Sequence, residues 1–212
     1  MKFIRVEVES RILNNARDLF FRYGLKNVTM DEIAADLGMS KKTLYEFYPN
    51  KKEIINRITE NFLNDQNDAH QQVSAKSKDA VDELIQLMGL INHIFENLDV
   101  RVIYDMQRYY PEAWNIFLKH KEDFIMRDIT LNLKRGIQEG LFRNDIHVEI
   151  IARMRLEQVQ LAMDPRYFPA EKYNLTEVHQ QLLLQYVKGL CTPSGHKLIE
   201  NYMSDLKTNT RP

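Results

Sequence analysis

Several features that define other classes of protein are scarce or absent in this sequence. It has one cysteine in 212 residues, which excludes an internal disulfide and fits a reducing cytosol. It contains no window of about 18 uninterrupted apolar residues, so we expect no membrane span. The opening residues, MKFIRVEVESR, are too charged for a secretory signal peptide. We therefore expect a cytoplasmic protein without a membrane partner.

Motifs of catalysis are missing as well. The seven glycines form neither a phosphate-binding loop nor a nucleophile elbow, and the six histidines show no metal-ligand spacing. Carboxylates are numerous, but basic residues are interspersed among them, which is typical of solvated helix faces. We therefore expect no enzyme, no metal site and no cofactor.

The charge is nearly balanced overall but uneven along the chain. A formal net charge of −1 argues against a uniformly basic protein that coats nucleic acid. Between residues 40 and 57, however, five basic residues stand against two acidic ones. Phosphate contacts require such a local excess of positive charge, although a solvated surface can have the same composition.

Apolar residues recur at helical spacing nearly everywhere, and no sustained alternation typical of strands is present. We therefore predict an all-α fold. The last six residues, KTNTRP, are expected to fray. The predicted helices are residues 6–23, two short helices within 29–48, and then 51–72, 81–98, 100–109, 111–139, 148–163, 175–190 and 194–206.

The most informative segment is 29–53, TMDEIAADLGMSKKTLYEFYPNKKE. Its pattern predicts two short helices joined by a tight turn, with a third helix directly after them. Thr29 begins a capping box for the first helix, and Ser40 caps the second. Ala34 is small where a larger side chain would push the two helices apart, and Gly38 suits the left-handed backbone of the turn.

A basic, hydroxyl-rich face forms the start of the second short helix, which is typical of a helix that enters the major groove of DNA. The ammonium groups of Lys41 and Lys42 lie in its first turn and can donate to guanine O6 and N7. Thr43 can contact a thymine methyl group or a phosphate. The face comprises Ser40, Lys41, Lys42, Thr43 and Tyr45.

This segment resembles the DNA-binding domain of the TetR family of bacterial transcriptional regulators. The preceding helix, ILNNARDLFFRYG, fits the same pattern, so the resemblance covers roughly the first 60 residues, and the rest is similar only in outline. The resemblance implies that Thr29, Tyr45 and Lys51 contact the DNA backbone. The free amides at the start of the helix that carries Lys51 favour an anion at the same place.

Three positions depart from the commonest pattern of the family. Lys42 replaces a frequent glycine, Glu46 a frequent aromatic residue and Phe47 a frequent histidine. Glu46 can accept from a cytosine amino group or repel nearby phosphates, and Phe47 can fill the core or touch thymine. These departures affect the expected operator sequence rather than the expectation of DNA binding.

The resemblance also implies the organisation of the domains. Residues 1–62 are expected to form the DNA-binding domain, with the helix-turn-helix at about 29–48, and residues 63–212 a helical domain for ligand binding and dimerisation. A homodimer is expected because one helix-turn-helix unit contacts too few base pairs to be selective. The helix 148–163, together with 175–190 or 194–206, is the candidate for the interface. Its apolar face, which includes Leu156, and that of 175–190 are equally compatible with intramolecular core.

A small-molecule site is suggested by aromatic and methionine residues in the second half of the chain. Such side chains suit an adaptable, amphipathic cavity, although an ordinary helical core contains them as well. The candidate ligand contacts are Tyr104, Tyr109, Trp114, Phe117, Met154 and Gln158.

The sequence thus predicts a homodimeric, DNA-binding transcriptional regulator. The favoured form is a repressor that a small amphipathic ligand releases from double-stranded operator DNA. The alternative is a DNA-binding regulator or architectural protein without a small-molecule effector, which a filled or charged pocket would favour.

Overall fold

The structure, a computed structural model, describes residues 2–97, 100–169 and 171–209. Across these residues the chain forms eleven α-helices and one π-helical turn, and the described part contains no strand beyond an isolated bridge between Phe142 and Cys191. The predicted all-α fold class is confirmed. The helices are α1 (Lys2–Tyr23), α2 (Met30–Asp36), α3 (Lys41–Phe47), α4 (Lys51–Lys76), α5 (Ala80–Asn97), α6 (Val100–Tyr109), α7 (Pro111–His120), α8 (Met126–Gln138), α9 (Val148–Ala162), α10 (Leu175–Leu190) and α11 (Pro193–Asn209).

The chain divides into two compact units. The first comprises Met1–Gln66 with Asn97–His120, and the second comprises Asn67–Glu96 with Lys121–Pro212. Helix α4 therefore contributes residues to both units, and α6 and α7 group with the first unit. The division of function near residue 62 stays a prediction.

The core of the first unit lies among α1 to α4 and is completed by α6 and α7. Ile12, Phe20, Ile33 and Leu44 are at most 1% exposed there. Met106 of α6 and residues of the helix-turn-helix pack against the same core from its edge. The remaining buried members are Leu13, Ala16, Leu25, Val28, Met30, Ala34, Leu37, Ile54, Ile55, Ile58, Val102 and Ala113.

The second unit has its own apolar core, in which α8 packs on α9 and α9 on α10. A close approach requires glycine at position 136, because a β-carbon there would lie 2.0 Å from the ring of Phe142. That ring, 1% exposed, belongs to the turn after α8, and the amide of Arg143 donates to the carbonyl of Leu190 at 2.8 Å. The turns that follow α8 and α10 are thereby held together.

One predicted helix, 111–139, is wrong as a continuous element. It is divided into α7, the π-helical turn Lys121–Ile125 and α8. The wider turn contains Lys121, which is 5% exposed and donates to Glu157 at 3.0 Å and to Gln160 at 2.6 Å. Apolar periodicity could not reveal this contact, since the partners lie on α9.

The other predicted helix ends differ by only a few residues. Helix α4 extends to Lys76, beyond the expected end near 72, and α11 extends to Asn209, into the segment expected to fray. Leu98 and the last three residues lie outside the described part of the chain. None of the helices described is long and apolar enough to cross a membrane.

Candidate nucleic-acid interface

The start of α2 is fixed by a complete capping box. The amide of Glu32 donates to the Thr29 hydroxyl at 3.2 Å, and the amide of Thr29 donates to the Glu32 carboxylate at 2.7 Å. Hydrogen bonds from the backbone and then the hydroxyl of Thr29 lower the pKa of Glu32. The predicted cap is confirmed, and it places the Thr29 side chain at an exposed helix N-terminus.

The turn between α2 and α3 depends on one left-handed residue. Gly38 has φ +61°, and the amide of Met39 donates to the carbonyl of Ala34 at 2.9 Å. Ala34 is 2% exposed, so a larger side chain at this position would have no room. Arg11 of α1 donates to the carbonyl of Leu37 at 2.8 Å. These contacts set the angle at which α3 leaves the turn.

Helix α3 has one buried support and a polar, exposed surface. The amide of Thr43 donates to the Ser40 hydroxyl at 3.1 Å, which confirms the predicted cap. Leu44 is fully buried, and Phe47 packs partly buried against the same core. Phe47 therefore takes the core role that the sequence left open. Tyr48 is likewise half-buried, and burial raises its pKa.

The opposite face of α3 presents the residues expected to contact DNA. Lys41, Lys42 and Tyr45 are exposed, Tyr45 to 48%. Thr43 is half-buried, and its hydroxyl lies 2.8 Å from that of Ser40. The face is therefore basic, rich in hydroxyl groups and open to an incoming ligand.

The two lysines of this face differ in their surroundings. The ammonium of Lys41 donates to Asp31 at 2.6 Å, in a pair whose side chains are 63% and 58% exposed. Lys42, the next residue, is exposed, and its charge takes no part in the Lys41–Asp31 pair. An exposed pair of this kind contributes little to stability, so Lys41 can exchange its partner at small cost.

Lys51 is oriented differently from the residues of α3. Its ammonium donates to the carbonyl of Val28, and it lies 5.9 Å from the centre of the Phe20 ring and 5.8 Å from that of Tyr110. Burial lowers the pKa of Lys51, against the opposing effect of the Asp105 and Glu32 carboxylates. A phosphate contact by this ammonium stays a prediction; because the ammonium has three N–H donors, it can make that contact beside the bond to Val28 or in its place.

Asp105 on α6 is a residue of this unit that the sequence did not single out. It is 8% exposed, and it accepts a hydrogen bond from the amide of Lys26 at 2.9 Å. The carboxylate thus holds the loop that leads into α2 and lies close enough to Lys51 to influence its charge. The 79 residues between Asp105 and Lys26 explain why no local pattern revealed the contact.

The six candidate ligand contacts are divided between the two units. Tyr104 and Tyr109 are 40% and 42% exposed on α6, and Arg108 donates to the Tyr104 hydroxyl at 2.6 Å. The half-buried rings of Trp114 and Phe117 stack with centres 5.0 Å apart. In the second unit, Met154 of α9 is 47% exposed and Gln158 is half-buried. Their common role in ligand binding stays a prediction.

Helices α2 and α3 are short and are joined by a glycine turn, and α3 is basic, exposed and supported by a buried leucine. This arrangement defines a DNA-binding protein of the helix-turn-helix class. The family described as "Bacterial regulatory proteins, tetR family" matches residues 12–58. The chain is similar to the biofilm operon icaADBC negative transcriptional regulator IcaR of Staphylococcus epidermidis, with 32% identity over 175 residues, 80% of this chain and 89% of that protein. It belongs to the TetR family and is a DNA-binding transcriptional regulator.

Two further similarities extend over both units. The transcriptional repressor KstR2 of Mycolicibacterium smegmatis is 26% identical over 193 residues, which cover 88% of this chain and 92% of that protein. The solved structure of the regulator FadR from Bacillus subtilis, in complex with stearoyl-CoA, is 16% identical with a TM-score of 0.63. That match covers 85% of this chain and 98% of the other, and it shows the fold. The family and fold predicted from the sequence are thus confirmed.

Proposed function

We propose that this regulator is a homodimeric repressor that binds operator DNA through α3 and leaves it when a small amphipathic ligand binds. The observation that carries the proposal is the exposed, basic face of α3 above the buried Leu44. A helix seated in this way can enter the major groove without disturbing its own core. The similarity to proteins named as repressors supports repression over activation.

Base contacts come from the first turn of α3. Lys41 and Lys42 donate to guanine, and Thr43 contacts a thymine methyl group or a phosphate. Ser40 caps the helix and offers its hydroxyl at the same edge. These side chains determine which operator is selected.

Backbone contacts hold α3 in register on the DNA. Tyr45 is exposed, and its hydroxyl group can donate to a phosphate, whereas the Thr29 hydroxyl donates to Glu32 at 2.9 Å and must first give up that bond. The first turn of α4 presents backbone amides near Lys51, of which that of Glu53 donates to Asn50 at 3.0 Å. For Lys51 itself, the phosphate is a partner of the ammonium beside the carbonyl of Val28 or in its place. These contacts supply affinity for DNA of any sequence.

Dimerisation is expected through α9. Leu156, which the sequence offered as an interface residue, is fully buried within one chain and therefore belongs to the core. Ile150, Met154 and Leu161 are instead 61%, 47% and 38% exposed, and their spacing of four and seven residues places them on one face of the helix. A two-fold dimer through this face presents two copies of α3 to one operator.

Residues 63–212 are proposed to couple ligand binding to release. A ligand favours a domain arrangement in which the two copies of α3 no longer fit major grooves about 34–36 Å apart. A hundredfold loss of DNA affinity requires about 2.7 kcal/mol of ligand preference for that arrangement. The complex of a structurally similar regulator with stearoyl-CoA supports an amphipathic effector. We further propose that the regulator acts in the cytoplasm, where its operator lies.

The test is a DNA-binding titration on the purified, full-length chain. Lys42→Ala should lower affinity for the preferred operator about tenfold and relax base preference at one position, as expected for the loss of one good base contact. Lys188→Ala removes an exposed charge from α10 and should change neither quantity. Equal effects of the two variants would contradict the assignment of α3 as the reading helix. Operator binding that no metabolite releases would favour the alternative without an effector.

A further inference from the structure

The second unit contains a buried arginine that has no acidic partner among the residues the structure describes. Arg155 of α9 is 5% exposed, and its Nη2 lies 3.4 Å from Nε2 of His179. Its guanidinium carbon lies 5.3 Å from the centre of the Tyr186 ring. Among the described residues, its Nη1 is buried and has no hydrogen-bond partner.

Neither neighbour supplies the negative charge that this guanidinium requires. Burial, and then the charge of Arg155, lowers the pKa of His179 to about 4, so the imidazole is neutral near pH 7. Burial also raises the pKa of Tyr186, which keeps the phenol neutral. Burial lowers the pKa of Arg155 to about 10, so the guanidinium still carries its charge at neutral pH.

Other arginines of the same unit show how unusual this environment is. Arg135, which is only partly exposed, contacts Glu139 at 2.7 Å and Glu83 at 3.2 Å. Arg153, two residues before Arg155 on α9, contacts Glu122 at 2.7 Å. Buried charges are normally paired, because an unpaired one is strongly disfavoured in a low-dielectric interior. Arg155, the most deeply buried of the three, contacts no carboxylate in the described part of the chain.

A second unsatisfied polar atom lies on the same face of α9. Gln158 follows Arg155 by three residues, a spacing that places the two side chains beside each other on a helix. Its Oε1 is buried and has no hydrogen-bond partner among the described residues. The Arg155 guanidinium, a donor without an anion, and the Gln158 Oε1, an acceptor without a donor, therefore lie in the same part of the unit.

We propose that Arg155 and Gln158 form a subsite for an anionic group, a carboxylate or a phosphate, on the effector. This inference rests on the proposed ligand-released repressor and specifies the chemistry of its ligand. The planar guanidinium matches the geometry of carboxylate and phosphate oxygens, and burial strengthens such charge-assisted hydrogen bonds. Gln158 adds a contact to a hydroxyl or N–H group of the same ligand.

The test compares charged and neutral ligands of the same apolar length on the full-length protein. Saturated fatty acids of graded chain length are titrated by calorimetry, with the primary alcohol and the alkyl phosphate of each length alongside. The wild type is compared with Arg155→Met, which keeps a similar apolar stem, and with Arg155→Lys, which keeps the charge. Arg153→Met removes an exposed charge from the same helix and is the matched control. Circular dichroism verifies that each variant folds.

The wild type should bind the acids or the phosphates more tightly than the alcohols, and the better anion of the two identifies the class of ligand. Arg155→Met should weaken anion binding about 10- to 100-fold, as expected when a buried charge-assisted hydrogen bond is lost, and leave alcohol binding unchanged. The affinity of Arg155→Lys for the anion should lie between that of the wild type and that of Arg155→Met. Arg153→Met should bind the anion as tightly as the wild type. If Arg155→Met does not fold, the lysine variant provides the comparison.

Three results would overturn the inference. They are the absence of anion binding, equal binding of anions and alcohols, and anion binding that the Arg155 substitutions leave unchanged. If Arg155→Met instead weakens dimerisation in sedimentation experiments without affecting anion binding, the partner of Arg155 is an acidic group of a second copy.

Operator release is measured separately. Binding that depends on Arg155 but leaves operator affinity unchanged contradicts the ligand-released repressor alone, whereas release by a neutral ligand contradicts the anion subsite alone.

Discussion

The contact between Lys41 and Asp31 predicts a substitution that tightens DNA binding. In the free protein, the Lys41 ammonium donates to Asp31 at 2.6 Å, across the turn from α2 to α3. To reach a base or a phosphate, Lys41 must give up this partner. In addition, the Asp31 carboxylate is exposed near the DNA-facing surface and repels phosphates. Asp31→Asn removes both obstacles while keeping the size of the side chain.

The magnitude follows from the exposure of the pair. With side chains 63% and 58% exposed, the pair contributes between about 0.2 and 1 kcal/mol. Its removal should therefore tighten operator binding by about 1.4- to fivefold at low salt, and the gain should shrink as salt screens the charges. Fluorescence anisotropy with labelled operator across a range of salt concentrations measures both effects. Asp31 lies in the first turn of α2, so the variant should also lose about 0.3–1 kcal/mol of stability.

The control for this experiment is Asp36→Asn. Asp36 is an exposed acidic residue at the other end of α2, where it accepts a hydrogen bond from Asn15 rather than from a lysine of α3. The change in net charge is the same, so a purely global charge effect would tighten both variants equally. Equal tightening, or weaker binding by a folded Asp31→Asn protein, would show that Asp31 does not hold Lys41 back from DNA.

Four further substitutions test other features of the structure. Gly38→Ala should destabilise the protein by about 1–2 kcal/mol in urea unfolding because φ is +61° there. Gly89→Ala, inside α5, should instead stabilise it by about 0.5–1 kcal/mol. An unchanged stability of Gly38→Ala would contradict the left-handed conformation of this turn. Lys51→Met should lower stability by about 1–2 kcal/mol through the lost bond to Val28. It should also reduce the salt slope of DNA binding by about one if Lys51 reaches a phosphate, and an unchanged slope would contradict that contact. Ile150→Glu should weaken the dimer in sedimentation experiments without unfolding the chain, and an unaffected dimer would exclude this face of α9.

The local features of the DNA-binding unit could be predicted because their causes lie within a few residues. The capping box of Thr29 depends on a residue three positions later, and the Ser40 cap on Thr43. Gly38 was recognisable because few other residues adopt a positive φ without strain. Consequently, the sequence placed the two short helices, their turn and the exposed face of α3.

Contacts between distant parts of the chain could not be predicted. The sequence does not reveal that Lys51 donates to Val28, because nothing in the α4 pattern indicates which way a long side chain turns. Periodicity also does not distinguish a helix face in the core from one in a dimer interface. Leu156 was compatible with both, and the structure buries it in the core. The buried Arg155 is equally hidden, since its neighbours His179 and Tyr186 lie on α10.

Selection from random double-stranded DNA shows whether two copies of α3 read one operator. The purified, full-length protein is incubated with the pool, and the bound fragments are sequenced over several rounds. A two-fold symmetric site should be enriched, with half-sites about one helical turn, 10–10.5 base pairs, or a multiple of it apart. Failure of any sequence to be enriched, or enrichment of an isolated half-site without symmetry, would contradict reading by two copies of α3.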